Sequence, residues 1–207
     1  MNIILEKDRK YHMDLNLFYN ILLSDKPSYL IKKNEEYFFS LIPELKTCKG
    51  FNQNSKWHIY DVYEHILHVV DGVESDLVLR LAALFHDVGK PICYTVDESG
   101  NGHFYNHWYE SYKIFLKFAR EHEINRDTQD LIAKLILYHD VRIDKISDDA
   151  IDKIFKEFNH EEVDLLYKIK KADLLAQSSE FHNELDAYES HKQYLYQRIN
   201  ELTFKSK

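Results

Sequence analysis

His86 and Asp87 stand together at the end of an otherwise apolar run, Leu81-Ala82-Ala83-Leu84-Phe85, followed by Val88-Gly89-Lys90. An imidazole and a carboxylate buried side by side are costly unless each other, hydrogen bonds or a cation satisfy them. A divalent metal satisfies both at once, because both are good ligands when deprotonated. Adjacent side chains on a helix project about 100° apart, so the pair reaches one ion only where the backbone turns. A helix end supplies that turn. The alternative is a helix-end aspartate beside a core histidine with one backbone hydrogen bond, and the dipeptide alone does not choose between them. Two further positions favour the metal. His65 lies in the apolar stretch DVYEHILHVV (61–70), and Asp173 interrupts the stretch from Leu165 to Ala176. Asp173 shares a helical face with Leu166, Ile169 and Ala176, so its carboxylate points inward, where a lone aspartate is rare and costly unless paired.

The elements that must position these groups are mostly helical. Residues 12–42 read as two helices split at Ser24-Asp25-Lys26-Pro27-Ser28, where Pro27 interrupts and Ser28 caps. Thr47 to Trp57 reads as a polar loop. From Asp61 a helix follows with Val62, Ile66, Val69 and Val70 on one face, and 76–86 is a helix apolar almost all round. Gly89 reads as its C-terminal glycine, with Pro91 after it. Ile92–Val96 and His103–Tyr105 flank DESGNG as a short β-hairpin. Further helices are expected at about 107–122, 127–139, 148–158, 161–178 and 182–202. The expected fold is all-α with one small hairpin inserted at about 92–105. The domain plan is a single 1–207 unit: an N-terminal helical extension (1–56), a core (57–178) and a C-terminal helix (179–207).

Composition narrows the function classes. With 207 residues, 44% of them hydrophobic and 30% charged, the chain has the make-up of one globular domain. A formal charge of −8 argues against an extended nucleic-acid surface, which needs clustered Lys and Arg. A small phosphorylated ligand remains compatible, because a metal and one or two cations meet its charge locally. Two cysteines, Cys48 and Cys93, make no framework of spaced pairs, which points to free thiols in a reducing compartment. No signal peptide and no membrane span are read in the chain, so a cytoplasmic protein is expected.

The order His65, His86-Asp87, Asp173 resembles the metal-binding signature of the HD superfamily of metal-dependent phosphohydrolases. The likeness extends to the HD domain in the C-terminal part of bacterial tRNA nucleotidyltransferases, the CCA-adding enzymes. It is carried by LLSDKPS (22–28), WHIYDVYEHILHVVD (57–71), LRLAALFHDVGKP (79–91), DESGNGHFYNH (97–107) and KADLLAQ (171–177). The nucleotidyltransferase head carries Gly-Ser and a paired DxD motif, and nothing of that kind precedes residue 50, so nucleotide addition is not expected.

The resemblance implies an HD-type helical bundle, with His65, His86, Asp87 and Asp173 as ligands of a divalent ion: Mn, Fe, Co, Ni, Mg or Zn. Lys90 matches a lysine that contacts substrate phosphate in some dinuclear HD families. Its own chemistry allows a point charge on a phosphoryl oxygen, or an ordinary lysine facing a helix dipole. His107 and His139 match the extra histidines of HD proteins that bind two metals; their alternatives are phosphate binding, proton shuttling or capping of helix carbonyls. Catalytic roles are expected of Asp87, Lys90, His107 and His139. Asp61 reads as a helix cap rather than a support for His65, and Asp140 as an orienting group beside His139. His58, His68 and His103 read as supporting or surface residues, and His12, His122, His160, His182 and His191 as solvent-facing. The implied activity is hydrolysis of a phosphomonoester or phosphodiester, with a small phosphorylated substrate such as a nucleotide. The implied cation would make hydroxide available near neutral pH and neutralise phosphoryl charge. Alternatives are a non-catalytic nucleotide-binding module, or a partner in RNA-end processing that acts on 2′,3′-cyclic phosphates.

Overall fold

With few glycines and prolines to break it, the chain folds mainly as helix. The computed structural model describes residues 15–205. Four short helices come first: α1 (Leu15–Leu22), α2 (Pro27–Lys33), α3 (Glu35–Leu41) and α4 (Pro43–Cys48). Then follow α5 (Val62–Gly72), α6 (Leu77–Phe85) and α7 (Lys90–Cys93). A hairpin of β1 (Thr95–Val96) and β2 (Gly102–His103) pairs antiparallel, Thr95 opposite His103 and Val96 opposite Gly102. The chain continues through α8 (His107–Glu121), α9 (Arg126–Tyr138), α10 (Asp148–Phe155), α11 (His160–Leu175) and α12 (Tyr188–Lys205). Short 3-10 turns at Ile143–Lys145 and Ser179–Ala187 join the later helices.

The all-α architecture with one hairpin stands, and four details differ from the sequence reading. The 12–42 region is three helices over its described part, because Asn34 breaks α2 from α3, and Pro43 then opens α4 so that Thr47 and Cys48 are helical. The helix expected to stop at Gly89 ends at Phe85, and Pro91 sits in the first turn of a new helix, α7, where its missing N–H costs nothing. The hairpin therefore begins at Thr95, not Ile92. The last helix starts at Tyr188, after the 3-10 run.

The core is the packing of α5 against α6 and α11, with α9 against α6 and α8. Polar caps set where each helix begins: Asp61 Oδ1 accepts from Glu64 N at 2.7 Å, and Asp76 Oδ1 accepts from Leu79 N at 3.0 Å. Asn159 and Glu162 form a reciprocal capping box at the start of α11. Two close packings fix the backbone around His65 and His86. A Cβ at Gly72 would stand 3.0 Å from Ala172 Cβ, so α5 and α11 nearly touch, which brings His65 towards Asp173. Phe85, fully buried, packs edge to face on Phe115 at 5.4 Å and tilted on Phe118 at 5.1 Å. Burying such a ring contributes roughly 1.5–3 kcal/mol and pins the backbone just before His86. Among the described residues no helix is long and apolar enough to cross a membrane.

Candidate metal centre

Five elements deliver six side chains to one point. α5 brings His65, the turn after α6 brings His86 and Asp87, α8 opens with His107, His139 caps the end of α9, and α11 brings Asp173. All are buried except Asp173, whose side chain is 16% exposed towards a cavity. His65 Nε2 lies 3.0 Å from Asp173 Oδ1, 3.3 Å from Asp87 Oδ2 and 3.4 Å from His86 Nε2. His86 Nε2 lies 3.2 Å from Asp87 Oδ2 and 4.0 Å from Asp173 Oδ1. The other carboxylate oxygen, Asp87 Oδ1, faces His107 Nε2 at 3.2 Å and His139 Nε2 at 3.6 Å, and those two nitrogens are 3.3 Å apart. Asp87 thus stands between two half-sites, one through each oxygen.

The local fold decides which ring nitrogen faces the centre. Nδ1 of His86, His107 and His139 each lies 2.8 Å from the carbonyl oxygen three residues earlier, on Ala83, Phe104 and Ile136. A carbonyl only accepts, so each Nδ1 donates, and the neutral ring turns the lone pair of Nε2 inward. Lone pairs then meet lone pairs. Asp87 Oδ1 is buried with no hydrogen-bond partner, although two imidazoles surround it. An acceptor cluster of this kind is repulsive until positive charge enters it. The separations also fit an ion: bonds of about 2.1 Å put neighbouring ligands about 3.0 Å apart in an octahedron and about 3.4 Å apart in a tetrahedron. The chemistry of the donor set, nitrogen and oxygen without thiolate, suits a divalent metal. His65, His86 and Asp87 form one set able to hold an ion, and Asp87, His107 and His139 another.

The titration behaviour agrees with a centre short of cations. Burial raises the Asp87 carboxyl, but His86 and Lys90 outweigh it and hold it well below its usual range. Burial acts the same way on Asp173, and contact with His65 overcomes it. Burial lowers His65, but Asp173 and then Asp87 lift it above the ordinary value. His139 behaves likewise through Asp87, whereas burial wins at His86 and lowers it. Two carboxylates stay anionic and imidazoles are drawn into compensating them.

Lys90 is buried, its Nζ 2.6 Å from Asp87 Oδ2 and 2.9 Å from Gln53 Oε1. It opens α7, so the reading of a lysine at a helix C-terminus does not hold. The expected C-terminal role of Gly89 is corrected too: its φ is −81°, not left-handed. Gly89 is needed for space, since a Cβ there would stand 2.5 Å from Ser111 N and 2.7 Å from His107 O. Its own N–H donates to Ser111 Oγ at 2.9 Å, which clamps the first turn of α8 and its His107 against the His86-Asp87 turn.

Asp61 caps α5 and also accepts from Gly50 N at 2.9 Å. Asp140 does not orient His139; the Ile136 carbonyl does, and Asp140 is exposed at the cavity mouth. His68 is exposed and stacked on Tyr60, and His160 is exposed as expected. His122, His182 and His191 are half-buried rather than solvent-facing, and His12 lies outside the described residues.

Gln53 and Lys170 escaped the sequence reading, and His58, read there as a supporting or surface residue, belongs to the site itself. His58 reaches the cavity, its Nδ1 buried and without a partner, and burial pushes its imidazole down to about 2. Gln53 is buried and ties Lys90 to the Tyr60 carbonyl; nothing in the polar loop around it signals that. Lys170 is buried with Nζ on the carbonyls of His139 and Val141, at 2.7 and 2.9 Å. Its place three residues before Asp173, on the same helical face, was the available signal. A cavity of ≈250 Å³ opens over the cluster, and a second of ≈360 Å³ shares His58, His139, Asp140, Asp173 and Gln177 with it.

A helical domain whose helix ends converge on a buried His/Asp centre able to hold divalent metal is the class that fold and site define. Residues 57–177 match the HD domain, and the chain belongs to that family. Two curated relatives are similar over part of their length. One is the A-adding tRNA nucleotidyltransferase of Deinococcus radiodurans, 36% identical over 72 residues, which are 32% of this chain and 16% of that protein. Another is the multifunctional CCA protein of Janthinobacterium sp. (strain Marseille), 33% identical over 95 residues, 44% of this chain and 22% of that protein. The matched segments therefore span less than a quarter of either relative.

Proposed function

We propose that this chain is a metal-dependent phosphohydrolase that cleaves a phosphomonoester or phosphodiester of a nucleotide or other small phosphorylated compound. One observation carries the reading: imidazole lone pairs and carboxylate oxygens converge around the partnerless Asp87 Oδ1, an arrangement that calls for cations. Residues 57–178 are the catalytic core in this reading, with 1–56 as N-terminal extension and 179–207 as C-terminal helix. His65, His86, Asp87 and Asp173 would hold one ion, and Asp87, His107 and His139 a second. Divalent ions in such a site supply Lewis acidity to a phosphoryl oxygen and acidity to water.

The chain's own groups do the rest. Asp87 and Asp173, held anionic, hold the positive charge in place and offer carboxylate oxygens to a proton leaving water. Lys90, on the cavity wall and tethered by Gln53, supplies a fixed positive charge for a phosphoryl oxygen. His58 lines the cavity as a ring that burial keeps neutral, so it adds no charge of its own beside Asp87 and Asp173. The buried floor excludes bulk water, which strengthens each of these interactions.

The test is release of p-nitrophenol from p-nitrophenyl phosphate and bis(p-nitrophenyl) phosphate after chelation and reconstitution with Mn, Fe, Co, Ni, Mg or Zn. Turnover that appears only with metal, and is lost in His86→Ala and Asp87→Ala variants with an unchanged circular dichroism spectrum, is expected. No turnover with any metal, or full activity in both variants, would refute it. Similarity to a protein named as an A-adding tRNA nucleotidyltransferase and to one named as a multifunctional CCA protein favours a second reading, action on 2′,3′-cyclic phosphate at RNA ends. With a charge of −8, that reading needs a partner to bring the RNA, and strongly salt-dependent binding of tRNA by the chain alone would change the picture.

A further inference from the structure

From Pro91 to Asn106 no side chain is buried, so the hairpin adds nothing to the hydrophobic core. It is nevertheless held firmly. Asp97 Oδ1 accepts from Ser99 N and Asn101 N, both at 2.9 Å, and Asp97 Oδ2 meets His103 Nε2 at 2.9 Å. Gly100 takes a φ of +83°, which the tight turn requires. The second strand is seated on the preceding loop: Gly102 N donates to Asn54 O at 2.9 Å, and any Cβ at Gly102 would collide with the Gln53 carbonyl. The side chain of that same Gln53 holds Lys90, so the hairpin and the lysine are positioned from one residue.

What this braced hairpin presents is a row of rings. His103, Phe104 and Tyr105, with Trp108 from the first turn of α8, line the cavity whose floor carries Asp87, Lys90 and His107. The His103 and Tyr105 rings are parallel within 6° at 5.3 Å, and Tyr105 is 67% exposed. A large exposed aromatic side chain braced by a second ring, which is itself fixed by a carboxylate, is a flat surface prepared for another flat group. We propose that this wall is a nucleobase subsite, so that the substrate of the metal centre is a nucleoside phosphate with its base against Tyr105 and Trp108. The proposal takes only the position of the phosphate from the phosphohydrolase reading. Every base has a π-face, so stacking of this kind accepts different bases and rejects substrates that lack one. A cavity of ≈250 Å³ accommodates one base, and the acidic surface disfavours a long polynucleotide.

The experiment compares two ligands that differ only by the base. The 5′-phosphonate analogues of AMP and of ribose 5-phosphate, which resist hydrolysis, are titrated into the metal-reconstituted protein by calorimetry. The adenosine compound is expected to bind about tenfold more tightly or better, the size of one base–aromatic stack. Tyr105→Ala and Trp108→Ala are each expected to remove most of that preference; Tyr105 is exposed, so its variant should keep the wild-type melting temperature. Equal affinity for the two analogues within a factor of two, no binding of either, or full preference in both variants would overturn the subsite. Base-dependent binding without turnover of either nitrophenyl ester would instead count against the hydrolase reading alone. Turnover with no preference for the base would count against the subsite alone.

Discussion

Replacing Gly89 by alanine sets a local gain against a packing loss. The backbone at Gly89, φ −81° and ψ −9°, suits alanine, so reduced freedom of the unfolded chain alone would stabilise by about 0.4–1 kcal/mol. The added methyl would however lie 2.5 Å from Ser111 N, 2.7 Å from His107 O and 2.8 Å from Glu110 Cβ. Ordinary contact needs about 3.5 Å, so the first turn of α8 must retreat by about 1 Å. Overpacking of this sort costs typically 1–3 kcal/mol and outweighs the gain in most of that range. A net loss of about 1–2 kcal/mol lowers the melting temperature by about 2–8 °C for a chain of this size. The retreat also carries His107 away from Asp87 Oδ1, now 3.2 Å distant, by several times the tolerance of about 0.2 Å that a metal site allows. Thermal melting and elemental analysis of Gly89→Ala should therefore show lower stability and fewer bound ions per chain. A raised melting temperature with full metal content would refute the close-approach argument.

Three other outcomes rest on the same geometry. Lys170→Met strips the donor from the carbonyls of His139 and Val141, and should cost about 1–3 kcal/mol in urea unfolding; an unchanged midpoint would contradict it. In chelated protein, His65 and His139 have folded-state values raised above about 6.5, so their contribution is full below that pH and is lost as pH rises through the raised values. Stability without metal should thus fall as pH rises above about 6.5, measured by urea midpoints, and metal should abolish the fall because the deprotonated rings are then ligands. Cys48 is buried and its thiol pushed up by burial, while Cys93 is half-buried, so a thiol reagent should titrate one cysteine in native protein and both in denaturant.

The residues that converge were readable because they violate their surroundings. His86 and Asp87 are polar groups at the end of an apolar helix, Asp173 shares a helical face with Leu166 and Ile169, and an inward carboxylate advertises its need for a partner. Helix-favouring composition and the Gly/Asn turn of DESGNG likewise disclosed the helical fold and the hairpin. Much of what stayed hidden depends on contacts between distant positions. Gly89 looked like a helix stop because a terminal glycine is common; its actual reason is the approach of Ser111 and His107, on another helix. The break at Asn34 and the helix begun at Pro43 have local causes that the reading passed over: Asn34 returns its N–H and its side-chain amide to the Leu30 carbonyl, and Pro43 stands in the first turn of α4. Gln53 belongs to a polar loop like any other until Lys90 arrives from 37 positions away. His58 carries no periodic signal, since it precedes α5 in a segment without regular structure.

The most direct test is elemental analysis of the purified chain after reconstitution, with the metal quantified per polypeptide. About two divalent ions per chain are expected, one for each set of ligands around Asp87, falling to none in Asp87→Ala, while His58→Ala, which leaves both ligand sets whole, retains both. A wild-type chain that takes up no divalent metal above background under any reconstitution, with the cluster intact in its fold, would contradict the metal centre itself.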